Sequence, residues 1–180
     1  MAHKVYQPTM YVPEQYYPEI GRIVTLYAYA EHRAQYIIHR LVRLNPTIAR
    51  ITINEPRLDE RVELIGQLAH LRKIPISEAT IKRLKNDAEE IKFTRDIYAH
   101  GLWLYDVRLK RFLIYVTRGK KETQKPPGMS RFDWNRKVRP SGMIVKIEDM
   151  HMLIEDLKVW ITEIEALRVG IRDFRRKPKP

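Results

Sequence analysis

Across residues 148–174 an apolar residue returns at every third or fourth position: Met150, Ile154, Leu157, Ile161, Ile164 and Ile171, with Leu153, Trp160 and Leu167 widening the stripe. That period is helical, and a stripe so wide cannot face water. The chain must therefore cover this helix with other helices, its own or those of a second copy. Three more segments have the required rhythm. Ile20, Val24, Tyr27, Ala34, Ile38 and Leu41 predict a long helix starting near Glu14 or Pro18, stopped after Leu44 by Asn45-Pro46. Val62, Ile65, Leu68, Ala69 and Leu71 predict a helix over residues 59–73, closed by Pro75. Ile81, Leu84, Ala88 and Ile91 predict another, beginning at the N-cap residue Ser77 and carrying Glu78 in its first turn. A short helix over residues 47–52 would complete the set.

After Gly101 the rhythm changes. Residues 102–107 and 112–117 are rich in aromatic and β-branched side chains and are separated by the charged turn Arg108-Leu109-Lys110-Arg111, which predicts a hairpin. Residues 143–146 are a third candidate strand. Residues 119–140 hold Pro126-Pro127-Gly128 and read as a long loop, a length usually kept for function or left unordered. The expected fold is mainly α: an antiparallel bundle of four to five helices with a β-hairpin inserted before the last helix. One domain would span residues 14–174, with the hairpin and loop insertion at 102–146. An irregular arm over residues 1–13, broken by Pro8 and Pro13, would precede it, and a basic tail at 175–180 would follow.

Cysteine is absent, so disulfides, thiolate zinc sites and a cysteine nucleophile are excluded. No apolar run approaches the roughly 18 residues of a membrane span, and residues 1–8 lack a signal-peptide core, so a cytoplasmic protein is expected. His32 and His39 lie two helical turns apart, too far for one ion without further ligands, and no glycine-rich phosphate loop is present. Neither a metal nor another cofactor is expected.

The net charge of +12 points to a polyanionic partner. It is concentrated in residues 118–139, where Arg118, Lys120, Lys121, Lys125, Arg131, Arg136, Lys137 and Arg139 face only Glu122 and Asp133. Phe132 and Trp134 lie among them and could stack on unpaired bases, an arrangement suited to single-stranded nucleic acid.

Two charged residues interrupt the apolar stripes. Glu31 occupies a core-facing position of the first helix and Arg95 one of the helix that follows Ser77. A buried charge needs a partner, so the pair is expected to meet across two packed helices. Tyr98 follows Arg95 in the stripe. His100 would sit in the last turn, where the helix dipole favours a cation, with Gly101 supplying a left-handed stop. Asp96 lies four residues before His100, placed to orient it.

The run Arg95-Asp96-x-x-x-His100, followed by Gly101 and Trp103, resembles the Arg-polar-x-x-x-His signature of HEPN domains. Those are helical bundles of prokaryotic defence systems, toxins and RNA-processing enzymes. The likeness extends to the order of elements over residues 14–173; it departs at Asp96, where many members carry Asn. It implies a metal-independent endoribonuclease in a defence or toxin-like role. Arg95 would stabilise the phosphorane, His100 would act as acid and base, Asp96 would orient His100, and Glu31, with Tyr98, would support the arginine. It also implies a homodimer through the motif helix, so that two copies of Arg95 and His100 form one cleft. Dependence on the 2′-hydroxyl would restrict cleavage to RNA and leave 2′,3′-cyclic phosphate ends. Lys120, Lys121, Lys125, Arg131, Phe132, Trp134, Arg136, Lys137 and Arg139 would hold the substrate. Two alternatives share the fold: a non-catalytic dimerisation or RNA-binding module, and a toxin-type subunit held by a separate antitoxin or other partner.

Overall fold

The computed structural model describes residues 6–8, 12–43, 56–107, 110–115 and 142–176. Among these residues four helices and a small sheet are formed. A 3-10 turn at Glu14–Tyr16 leads into α1, Tyr17–Val42. Then come α2, Leu58–Leu71, and α3, Glu78–His100. The last helix, α4, spans Ile147–Arg176. This is the mainly α architecture expected. The short helix expected at 47–52, the basic residues of 118–139 and tail residues 177–180 lie outside the described residues.

The ends of the helices follow from local chemistry. Pro18 occupies the first turn of α1, where its missing N–H costs nothing. Arg43 closes that helix in the left-handed conformation, φ 60°, and its N–H donates to the His39 carbonyl. At α2, Arg57 caps the first turn, and the Glu60 carboxylate accepts its backbone N–H at 2.8 Å. At α3, the Ser77 hydroxyl accepts the Thr80 N–H at 3.1 Å, as the sequence predicts.

Packing centres on α1, which lies against both α4 and α2, while α3 packs mainly on α2 and also touches α4 and α1. Ala30, Ala34 and Ala88 are fully buried and let the backbones approach, and Ile23, Ile38, Leu84, Ile154 and Leu157 fill the space between. Trp160 of α4 is buried, and its indole N–H donates to the Leu84 carbonyl of α3 at 3.0 Å. Trp160→Phe should lower stability by about 1–3 kcal/mol, through the lost hydrogen bond and the lost ring volume. A guanidinium denaturation midpoint equal to wild type would contradict that packing role.

The sheet is larger than the expected hairpin. Strands β2, Leu102–Asp106, and β3, Arg111–Tyr115, form the hairpin itself, with Lys110 in the left-handed conformation at its turn. The strand expected at 143–146 is β4, Gly142–Ile144, antiparallel to β3. The N-terminal arm is not irregular throughout. Tyr6–Pro8 form β1, antiparallel to the free edge of β2 with Tyr6 opposite Asp106. The sheet order is β1-β2-β3-β4. Pro8 read as a breaker because it has no N–H to donate, yet an edge strand tolerates that loss. The sheet packs on the bundle through Trp103 and Ile114, and Tyr16 stands 5.2 Å from Trp103, ring centre to ring centre.

A polar lane survives beside this core. Arg61 of α2 is buried, and its guanidinium donates to the carbonyls of Pro56 and Glu31 and to the Gln35 side chain. His39, one turn further along α1, lies 2.7 Å from the Gln35 amide nitrogen. Burial, then the charge of Arg61, then that of His32 hold the His39 imidazole below its ordinary value of 6.5. The unfolded chain therefore binds the proton more readily than the native one. The resulting stability is present above about pH 6.5 and is lost as pH falls through the lower native value. His39→Gln should shrink the fall in denaturation midpoint between pH 7.5 and pH 5; an unchanged fall would mean that His39 carries none of it.

Candidate active site

Arg95 lies in the last two turns of α3, where that helix meets α1. Its guanidinium carbon sits 4.0 Å from the centre of the Tyr27 ring, a close cation–π contact with a buried aromatic. One terminal nitrogen pairs with Asp96 at 2.9 Å. The side chain is 21% exposed, and its Nε is buried with no hydrogen-bond partner among the described residues. Arginine tolerates this position because its flat, weakly hydrated cation stacks on an aromatic face while one edge stays hydrogen-bonded.

Glu31 is one turn beyond Tyr27 on α1 and is half-buried. The two charges expected to meet act on one phenol. Burial raises the Tyr27 hydroxyl above its usual range, a hydrogen bond from Arg95 opposes this, and the carboxylates of Glu31 and Asp96 push it up again. The Glu31 carbonyl also accepts from Arg61, tying this part of α1 to α2.

Asp96 is placed differently from expectation. Its two oxygens are directed to Lys92, at 3.0 Å, and to Arg95, at 2.9 Å. Lys92 lies four residues earlier on the same helix, and its mobile ammonium competes for the carboxylate that was assigned to His100. His100 itself ends α3, exposed. It has no ion-pair or hydrogen-bond partner among the described residues. Gly101 does cap the helix, its N–H donating to the Ile97 carbonyl, but with extended backbone (φ −68°, ψ 150°) in place of the expected left-handed stop. The chain passes straight into β2, so a reversal is not needed.

Tyr98 belongs elsewhere. It is buried and lines the contact between α3 and α4, and burial, reinforced by the Asp149 carboxylate, pushes its hydroxyl up to about 12. It is a core residue of that interface and does not support Arg95 directly.

Reading the sequence as stripes missed Tyr27 and Lys92. Tyr27 fits the stripe as one more apolar position, although a tyrosine four residues before a misfit glutamate is a signal that the lane is polar. Among the described residues no helix is long and apolar enough to cross a membrane, and no cluster of three or more His, Cys, Asp or Glu could hold a metal ion. In chemical terms the site offers a permanent, partly exposed cation and, five residues on, an exposed imidazole of a type able to transfer protons. Comparison with protein-family models, curated proteins and solved structures found no match to this chain.

Proposed function

We propose that the chain is a metal-independent endoribonuclease of the HEPN type, acting as a homodimer in a defence or toxin-like role. The observation that carries this reading is the pairing, at the end of one helix, of a partly exposed arginine pinned on Tyr27 and Asp96 with an exposed histidine. In the proposed reaction the RNA 2′-hydroxyl attacks the adjacent phosphorus and loses its proton to one imidazole. The bond from phosphorus to the 5′-oxygen breaks as a second imidazole protonates that oxygen. Arg95 meets the charge on the phosphorane oxygens, which its rigid fork fits. One copy of the motif supplies too few groups, hence the dimer with two motif helices facing one cleft. Residues 118–139 are assigned to hold RNA on charge and aromatic content alone.

Purified protein incubated with labelled transfer RNA and single-stranded RNA in excess EDTA tests this directly. Cleavage that persists in EDTA, leaves cyclic phosphate ends and disappears in His100→Ala is the expected result. Absence of cleavage by wild type while RNA is still bound would sink the nuclease.

A second reading has its own support. The contacts of Arg95 with Tyr27 and Asp96 give the arginine a structural reason to exist, and among the described residues no carboxylate pairs with His100. These favour a non-catalytic dimerisation or RNA-binding module. The same assay separates the two, because a module binds RNA equally well with or without His100.

A further inference from the structure

An open groove of about 540 Å3 runs between α3 and the first half of α4, and Arg95, Asp96 and His100 take no part in its lining. Its floor is apolar: Ile91, Leu153 and Trp160 are buried there. Met152 and Val159 stand at its edge, 60% and 59% exposed. Two large apolar side chains so exposed along one groove mark a surface awaiting a partner.

The charge of the groove opposes that of the chain. Asp87, Glu90, Asp149, Asp156 and Glu163 line it with a single cation, Arg83. Arg83 already pairs with Glu163 at 2.7 Å and lies 3.6 Å from Asp87. Glu90, Asp149 and Asp156 have no ion-pair partner among the described residues. A protein carrying +12 thus gathers negative potential at one groove, which repels nucleic acid and attracts cations.

The spacing of these residues identifies the shape of the occupant. Asp149, Asp156 and Glu163 recur every seven residues on α4 and Met152 and Val159 share that spacing, so an acidic row about 20 Å long runs beside an apolar pair about 10 Å apart. We infer that this groove docks an amphipathic helix of a partner protein, its apolar stripe on Met152 and Val159 and its flanking lysines or arginines on the carboxylates. A helix laid in a groove reads out its anchors at that repeat. A second copy is the poorer occupant, because a two-fold contact across this groove sets carboxylates against carboxylates.

The test uses the full chain and a fluorescein-labelled helical peptide of about three heptads, leucine at a and d and lysine at e and g. Binding is followed by anisotropy and located by the methyl resonance of Met152. The expected result is binding that weakens with salt, perturbs Met152, vanishes when the lysines are replaced by glutamate, and falls at least about tenfold in the Glu90→Gln, Asp149→Asn, Asp156→Asn triple variant. Glu90 and Asp156 are exposed and Asp149 is half-buried, and an unchanged circular dichroism spectrum confirms folding. No binding, or binding undiminished in the triple variant, overturns the proposal. A doubled mass in solution that the triple variant abolishes gives the groove to a second copy. Peptide binding at least about tenfold tighter after deletion of residues 118–139 gives it to the chain's own basic segment. Either result also overturns the assignment to a partner protein.

Discussion

Arg95→Lys is expected to lower RNA cleavage by about 100-fold or more while leaving the protein folded. Lysine keeps the positive charge beside Asp96 but loses the planar fork and the flat stacking on Tyr27. A single pre-aimed donor to a developing oxyanion is worth roughly 10²–10³ in rate, which sets the scale. Stability should change little, by about 1 kcal/mol, because the substitution removes a buried Nε that has no partner in the described structure and so offsets part of the lost contact. The informative comparison is with Tyr27→Phe, which keeps the ring under the guanidinium and removes only the phenol. If Tyr27 merely provides a surface, Tyr27→Phe cleaves like wild type. If the phenol fixes the arginine, kcat falls with KM unchanged. Full activity in Arg95→Lys would refute the phosphorane role, and lost stability without any cleavage to lose would favour the module reading.

The helices were legible because their cores are local in sequence: every stripe from Ile20 to Ile171 repeats within one turn, and Ser77 announces its own cap. What escaped was non-local. Nothing in Tyr6-Gln7-Pro8 says that a strand edge awaits it nearly a hundred positions later, so a proline-broken arm was the natural reading. The candidate site was half legible for the same reason. Arg95 and Glu31 stood out as misfits, but the ring between them belonged to the stripe and was invisible as chemistry. Asp96 failed for a different reason: helical spacing allowed both Lys92 and His100 as partners, and electrostatics chose the lysine. The acidic groove joins two helices far apart in sequence, so its negative charge is hidden in the net total of +12.

Gly101→Ala should destabilise the fold by about 3 kcal/mol, and the argument is steric alone. The glycine has φ −68°, which alanine adopts freely, so no strain enters through the backbone. On backbone entropy the substitution would stabilise, by about 0.4–1 kcal/mol, by restricting the unfolded chain. Packing reverses the sign. A Cβ at this position would lie 2.1 Å from the Ile114 Cγ2 and 2.4 Å from the Ile97 carbonyl oxygen. The isoleucine is fully buried in β3, and the carbonyl is the one that accepts the Gly101 N–H at the helix end, so neither yields cheaply. Overpacking of this kind costs about 1–3 kcal/mol and sometimes more. For a chain of this length that is a fall in Tm of about 6–12 °C. A double-mutant cycle with Ile114→Ala should show the two costs to be less than additive, since removing Cγ2 relieves one of the two clashes. A stability at or above wild type in Gly101→Ala would refute the close approach of α3 to the sheet. The residue matters beyond stability because it is the joint on which His100 is set: helix and strand both press on Gly101, and whatever moves them apart moves the imidazole. Cleavage should therefore fall in Gly101→Ala even at temperatures where the protein remains folded, a loss that Trp160→Phe, destabilised at a distance from the motif, should not share.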